Sequence, residues 1–310
     1  MAIGQHFYHP VHKGMLSSFN WVFLALLAAF IESFKDLCSK SSLHSVSPQL
    51  AGLVASAVPI PLLVGFLILT KPWPTIEPGY FLALAVGGSL NVLGMFQFMR
   101  ALQASDLSLT IPFISFTPIF LLVTSPLLVG DVPTGQDVFG ILCIVAGAYI
   151  LHLHTIHKGI FWPFQAIWSH PGPRRMLSVA LIYSLTSNFD KLGVQHSSPL
   201  LWSVSITTVM AIGFLLLFRF SPQAPQTFPR GGSLGILLMI GVFQGLVLLV
   251  QNHAILSGPV PSVIALKRSS IFFAVVWGLL LLREPQGRER LWGSLLMVTG
   301  IAVLGFGQNA

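Results

Sequence analysis

The feature that most limits this chain is a succession of apolar runs, each long enough to cross a bilayer. They occupy residues 18–43, 48–70, 79–104, 106–129, 135–153, 175–196, 199–219, 232–257, 260–282 and 290–307. A helix needs about 20 apolar residues to span the hydrocarbon core. Barrel strands would be about 10 residues of alternating character, and these runs are too long and too uniform for that. Helices also satisfy every backbone group internally, which lipid demands. The expectation is an all-α multi-pass membrane protein with ten transmembrane helices. The separators KPWPTIEP, GDVPTGQD, SPQAPQTFPRGG, SGPVP and REPQGRER carry the turn chemistry that such a chain needs.

Composition excludes the main alternatives. Only 8% of residues are charged, against roughly 25% in a soluble domain, too few to cover a globule. The net charge of +7 fits Lys and Arg gathered in short loops. No basic run interleaved with aromatics suggests a nucleic-acid partner. Cys38 and Cys143 both sit in apolar runs, so no disulfide scaffold is expected. The polar first residues and the spanning length of the first apolar run argue against a cleavable signal peptide. The expected partners are the lipid bilayer and a small-molecule solute, the chain acting as a monomer or homodimer.

The segment HTIHKGIFWPFQAIWSHPGPRR alternates aromatic and polar residues and is expected to lie at the membrane interface. It divides the chain into a polar tail over 1–17, a five-helix repeat over 18–153, a connector over 154–174 and a second five-helix repeat over 175–310. The halves repeat. At an offset of 153, Ala101 meets Ala254, Asp131 meets Glu284, Gly140 meets Gly293 and Gly147 meets Gly300. At an offset of 151, Lys40 meets Lys191 and Pro48 meets Pro199. Two copies with an odd number of spans must lie inverted in the membrane, a design of secondary transporters with the solute site where the halves meet.

These residues carry a family resemblance. An acid ending a helix, a Pro-containing turn and then G-x6-G in the last helix, all occurring twice, resemble the drug/metabolite transporter superfamily, in its ten-helix members with two EamA-type domains. The motifs SKSSL and DKLGV fit the same pattern, although Asp131 stands where the family more often has Glu. The resemblance implies a carrier rather than an enzyme, for solutes ranging from amino acids to nucleotide sugars. It also implies, by likeness to the sugar-phosphate branch, a phosphate-binding role for Lys267 and Arg268.

The charged residues inside the spans are the candidate site. AFIESFKDLCSK, residues 29–40, places Glu32, Asp36 and Lys40 four apart on one helix face, with Lys35 alongside. A charge at the bilayer centre costs at least about 2.5–3.5 kcal/mol, so such groups face a wet cavity or a partner. The second copy keeps Asp190 and Lys191 but has Tyr183 and Ser187 in place of the two upstream acids. Glu32, Asp36 and Asp190 are therefore the candidates for proton coupling. Lys40, Lys191, Lys267 and Arg268 are the candidates for the solute, and Arg adds a fork that fits carboxylate or phosphate. Acids confined to the first and sixth spans are expected not to reach the ninth, leaving Lys267 or Arg268 to the solute. The amides Asn91, Gln97, Asn188, Gln244, Gln251 and Asn252 either line the path or bridge helices. Pro112, Pro118 and Pro126 bend the fourth span, either to open carbonyls to a cavity or to curve the bundle.

Neither His6, His9 and His12 nor His152, His154 and His157 has a Cys or carboxylate beside it, so no metal is expected. No cofactor is expected, and no G-x-x-x-x-G-K-[ST] appears for an ATP-driven cycle. The reading is a secondary transporter, an exporter of a small polar metabolite such as an amino acid or organic acid, in a prokaryotic inner membrane. It would work by alternating access between the two inverted repeats. The alternative is a membrane-embedded enzyme or lipid-head-group flippase acting on lipid- or isoprenoid-linked substrates.

Orientation follows from the loop charges. Lys13 and Lys71 lie on the face of both termini, while Arg100, Lys158, Arg174, Arg175, Arg219, Arg230, Arg283, Arg288 and Arg290 lie opposite. By the positive-inside rule both termini are outside the cytoplasm. A C-terminal fluorescent fusion should stay dark while a C-terminal periplasmic reporter is active; the reverse pattern overturns the count.

Overall fold

In the computed structural model the described residues are 15–42, 47–70, 73–104, 110–153, 167–220, 232–282 and 288–306. Nearly all of them are helical, with no strand among them. In chain order the helices are α1 (Met15–Ser42), α2 (Pro48–Ala57), α3 (Pro59–Leu69), α4 (Pro78–Ala104), α5 (Thr117–Leu128), α6 (Gly135–Leu153), α7 (Pro171–Gln195), α8 (Pro199–Phe220), α9 (Gly232–Ser257), α10 (Val260–Lys267), α11 (Ser270–Leu282) and α12 (Arg288–Phe306). A 3₁₀ segment, Ile111–Phe116, leads directly into α5.

Local chemistry sets these boundaries. Pro48, Pro59, Pro78, Pro171 and Pro199 open their helices, where the missing N–H has no intrahelical acceptor to lose. Ser47 caps α2 by accepting Leu50 N–H at 3.3 Å. Thr134 and Asp137 form a reciprocal box at the start of α6: Asp137 N–H donates to Thr134 Oγ1 at 3.2 Å and Thr134 N–H donates to Asp137 Oδ2 at 2.9 Å. The sixth span starts at Pro171 instead of the expected 175, because Pro-Gly-Pro suits a first turn. Three expected single helices are divided. Residues 48–70 break at Val58, before Pro59. The fourth span begins as a 3₁₀ turn containing Pro112, and residues 260–282 break at Arg268–Ser269. The last two breaks are equivalent, since Thr117 and Ser270, the first residues after each, differ by the repeat offset of 153.

The helices pair across the two halves. α1 packs on α9 and α4 on α7, which are the same contact with the halves exchanged. α6 packs on α12, α2 on α8 and α5 on α10, each joining equivalent elements. The G-x6-G motifs explain one of these crossings. A Cβ on Gly147 would lie 2.6 Å from Gly293 O, and one on Gly300 would lie 2.6 Å from Gly140 O. The paired glycines, Gly140 with Gly300 and Gly147 with Gly293, show α6 and α12 running antiparallel in close backbone contact. Gly241 and Gly245 of α9 similarly receive the α2–α3 break: a Cβ on either would come within 2.5 Å of Val58 or Pro59.

Among the described residues, five stretches are long and apolar enough to cross a membrane: Gln49–Leu69, Pro78–Ala101, Ile111–Leu128, Pro199–Phe220 and Leu234–Ser257. Gly135–Leu151 and Trp292–Phe306 are shorter apolar helices. Outward-facing Phe66, Ile68, Phe81, Leu82, Leu127, Leu215 and Phe220 are exposed, an apolar coat suited to lipid rather than water. α1 and α7, which carry Glu32, Lys35, Asp190 and Lys191, lie outside that set of five.

Gly147→Leu should separate α6 from α12 and lower the folded yield, since overpacking a tight contact costs about 1–3 kcal/mol. Gly65→Leu, where a Cβ meets nothing within 4 Å, serves as control. Monodisperse recovery in detergent chromatography checks this; equal recovery of both variants contradicts the crossing.

Candidate functional site

Glu32 is where charges from several helices converge. Its Oε1 accepts a hydrogen bond from Lys35 Nζ, one turn along α1. Its Oε2 lies 3.6 Å from Lys267 Nζ, at the end of α10. Lys35 Nζ also donates to Gln244 Oε1 of α9 at 2.9 Å. Arg268 Nη2 reaches Thr117 Oγ1, the first residue of α5, at 3.4 Å. Arg268 is also within electrostatic reach of Glu32 and of Tyr183 on α7. The neighbours Lys267 and Arg268 thus point to different helices, as the roughly 100° step between adjacent helical positions requires.

The cluster is central in depth. Gln244 is twelve residues from the start of α9 and thirteen from its end, about 18–20 Å from either end at 1.5 Å per residue. The two helix breaks fall at this level, because Thr117 opens α5 and Lys267 and Arg268 close α10. Lys35 and Glu32 keep 16% and 15% of their side chains accessible and Lys267 keeps 19%, so the group is not sealed on every side.

The idea that no acid reaches the ninth span is corrected by this geometry. α1 packs against α10 and α11, which brings Glu32 of the first half to Lys267 of the second. Spacing along the chain could not show this, because the contact depends on how the halves interleave.

The other candidates divide. Lys191 does not join the cluster: its Nζ pairs with Asp131 at 2.8 and 2.7 Å, near one end of the bundle. Asp190 is buried and accepts Trp202 Nε1–H at 2.9 Å, with Lys267 within electrostatic reach. Asn188 Nδ2 bridges α7 to α5 through Thr124 Oγ1 at 3.0 Å. Asn252 Nδ2 bridges α9 to α8 through Ser203 Oγ at 2.9 Å. Gln251 is buried on α9. Asn91 bonds only its own helix, at Gly87 O, and Gln97 is half-buried on α4. The side chains of Asp36 and Lys40 lie outside the described residues, as do His6, His9, His12, His152, His154, His157 and Glu284. Among the described residues, no group of three or more His, Cys, Asp or Glu could hold a metal.

Sequence reasoning missed Thr117 and Tyr183 as members of the central group, and the partnership of Asp131 with Lys191. One signal was available. Asp131 and Glu284 are equivalent, and so are Lys40 and Lys191, which marks both acid and base as repeated features awaiting a partner.

A helical membrane bundle made of two copies, with charged side chains from both copies gathered at mid-depth, defines a multi-pass transporter. The chain belongs to the EamA-like transporter family, whose sequence profile matches residues 19–153 and 175–306, and so to the drug/metabolite transporter superfamily. Members of that family are transporters rather than enzymes. A crystal structure described only as that of a protein shares the fold, with a TM-score of 0.76 at 16% identity over 92% of this chain and 98% of that one. No curated protein matches the sequence.

Glu32→Gln should be the most destabilising neutral change here, because it removes the carboxylate shared by Lys35 and Lys267. Losing one member of a buried ion pair costs about 3–5 kcal/mol, and the partial exposure of Glu32 reduces this to about 2 kcal/mol. Adding Lys267→Met should recover part of the lost thermal midpoint. A double variant no more stable than Glu32→Gln contradicts the pairing.

Proposed function

We propose that this protein is a secondary transporter of a small metabolite bearing a carboxylate or phosphate. Ten spans in two inverted five-helix repeats would enclose the Glu32–Lys267 centre, and the halves would rearrange around it to expose it to each side in turn. The direction would be export, across a prokaryotic inner membrane. The observation carrying this reading is the charge balance at mid-depth. Lys35, Lys267 and Arg268 gather around the carboxylate of Glu32. Asp190 acts on Lys267 from farther off. A cluster rich in cations in low dielectric favours an anionic guest. The helix breaks beside it support the same reading, because non-helical backbone at membrane depth is tolerated where it lines a cavity or is buried in protein.

Glu32 has a second role in this reading. It keeps two lysines in place without neutralising the site, so the guest meets a preorganised pocket and not two mobile chains. Arg268 supplies the directional contact, since its planar fork holds two oxygens of a carboxylate or phosphate.

Proteoliposomes loaded with amino acids, dicarboxylates, sugar phosphates and a lipophilic cation test this. The expected result is counterflow of one anionic or zwitterionic class, weakened roughly tenfold by Arg268→Lys because one prong of the grip is lost. Carriage of the lipophilic cation alone, or Lys267→Ala and Arg268→Ala leaving anion counterflow untouched, overturns it.

A further inference from the structure

One end of the bundle is tied across the two halves by Asp131 and Lys191. α5 finishes at Leu128, and Gly130, with φ of 75°, turns the chain so that Asp131 follows at the helix end. Asp131 Oδ1 and Oδ2 accept from Lys191 Nζ at 2.8 and 2.7 Å. Oδ2 also accepts Val260 N–H, the first residue of α10, at 2.9 Å. Lys191 Nζ makes a further bond to Gly258 O at 3.2 Å. A single carboxylate of the first half therefore joins the end of α7 to the start of α10 in the second half. Gly258 also presses on α1: a Cβ there would lie 2.6 Å from the ring of Trp21, which is 1% exposed.

Behind this clasp, the seam between α5 and α7 is polar. Asn188, one turn before Lys191, donates to Thr124 Oγ1, and Ser125 is its neighbour on α5. Asn188 Oδ1 and Ser125 Oγ are buried and have no hydrogen-bond partner among the described residues. Each unmet polar group carries a desolvation cost that an apolar residue would not. That cost is offset if the seam is wet or occupied in another state of the protein. α5 itself leads from the clasp to the charged centre, because its first residue, Thr117, accepts from Arg268.

We propose that the Asp131–Lys191 pair is the gate on this face, closing a solute path that runs between α5 and α7 past Ser125 and Asn188 to the charged centre. The proposal rests on the transporter reading. A polar clasp suits a gate because its bonds can be exchanged for water when it opens, whereas parting an apolar plug exposes surface with no compensation. Its side chains keep only 9% and 16% accessibility, so the closed pair is shielded and resists thermal opening. Asp131 has two partners on the second half, Lys191 and the helix start at Val260. Opening must release both together, which makes the gate sensitive to movement of α10, the helix that carries Lys267.

The test reads access and does not depend on transport. In a protein with Cys38 and Cys143 changed to Ser, Ser125→Cys reports exposure of the seam to a membrane-impermeant maleimide. The reagent is applied to intact cells and to inside-out vesicles. Asp131→Asn and Lys191→Met should each raise Ser125→Cys labelling roughly tenfold, and only from the face bearing the α5–α6 turn. Lys191→Arg and Asp131→Glu, which keep the pair, should restore slow labelling and show that the fold is intact. Unchanged labelling in both charge-removing variants, or equal increases in the charge-keeping ones, overturns the gate. If labelling behaves as expected while no solute in the counterflow panel moves, the pair controls access to the seam and the anion-carrier reading falls. If counterflow is normal and labelling is insensitive to Asp131, the gate alone falls.

Discussion

A charge in hydrocarbon has to find either a partner or water, and in this chain Glu32 of the first half finds Lys267 of the second. That requirement organises what surrounds it. α1 and α10 must lie side by side for the two to meet, which forces the halves to interleave. Lys35 and Gln244 extend the same group to α9, and Arg268 extends it to α5. A carboxylate held by cations costs far less to bury than one alone.

The interleaving is made possible by small residues and interrupted helices. The crossing of α6 and α12 brings backbone to backbone because Gly140, Gly147, Gly293 and Gly300 present no side chain at the contact. Lipid offers no hydrophobic gain for bringing helices together, so packing of this kind supplies the cohesion. The equivalent breaks before Thr117 and Ser270 place two helix starts beside the charged centre.

Much of this was legible in the chain before any coordinates. The repeat offset of 153 identified the four glycines of the crossing but not their partners: α6 and α12 run antiparallel, so Gly140 meets Gly300 and Gly147 meets Gly293 rather than each its own equivalent. The sparse charges were found for the same reason that they matter, namely that lipid tolerates few. What could not be read was which charge faces which. Lys191 looked like the counterpart of a solute-binding lysine, yet it holds Asp131. Asn188 and Asn252, level with solute candidates by composition, bridge neighbouring helices. Pairing between distant helices depends on rotation about each helix axis, and a run of apolar residues with almost no polar face leaves that rotation unspecified. Residues 48–70 read as one span, and the break before Pro59, which fits against Gly241 and Gly245, was not visible.

The central claim is that the Glu32–Lys267 centre is one solute site opened to each side of the membrane in turn. Cysteine at Gln244, on the helix that contacts Lys35, tests it most directly in protein lacking the native cysteines. The account predicts labelling by an impermeant maleimide from both faces of the membrane, slowed from both when an anionic solute carried by the protein is present. Labelling from one face only, under every solute condition, would contradict it.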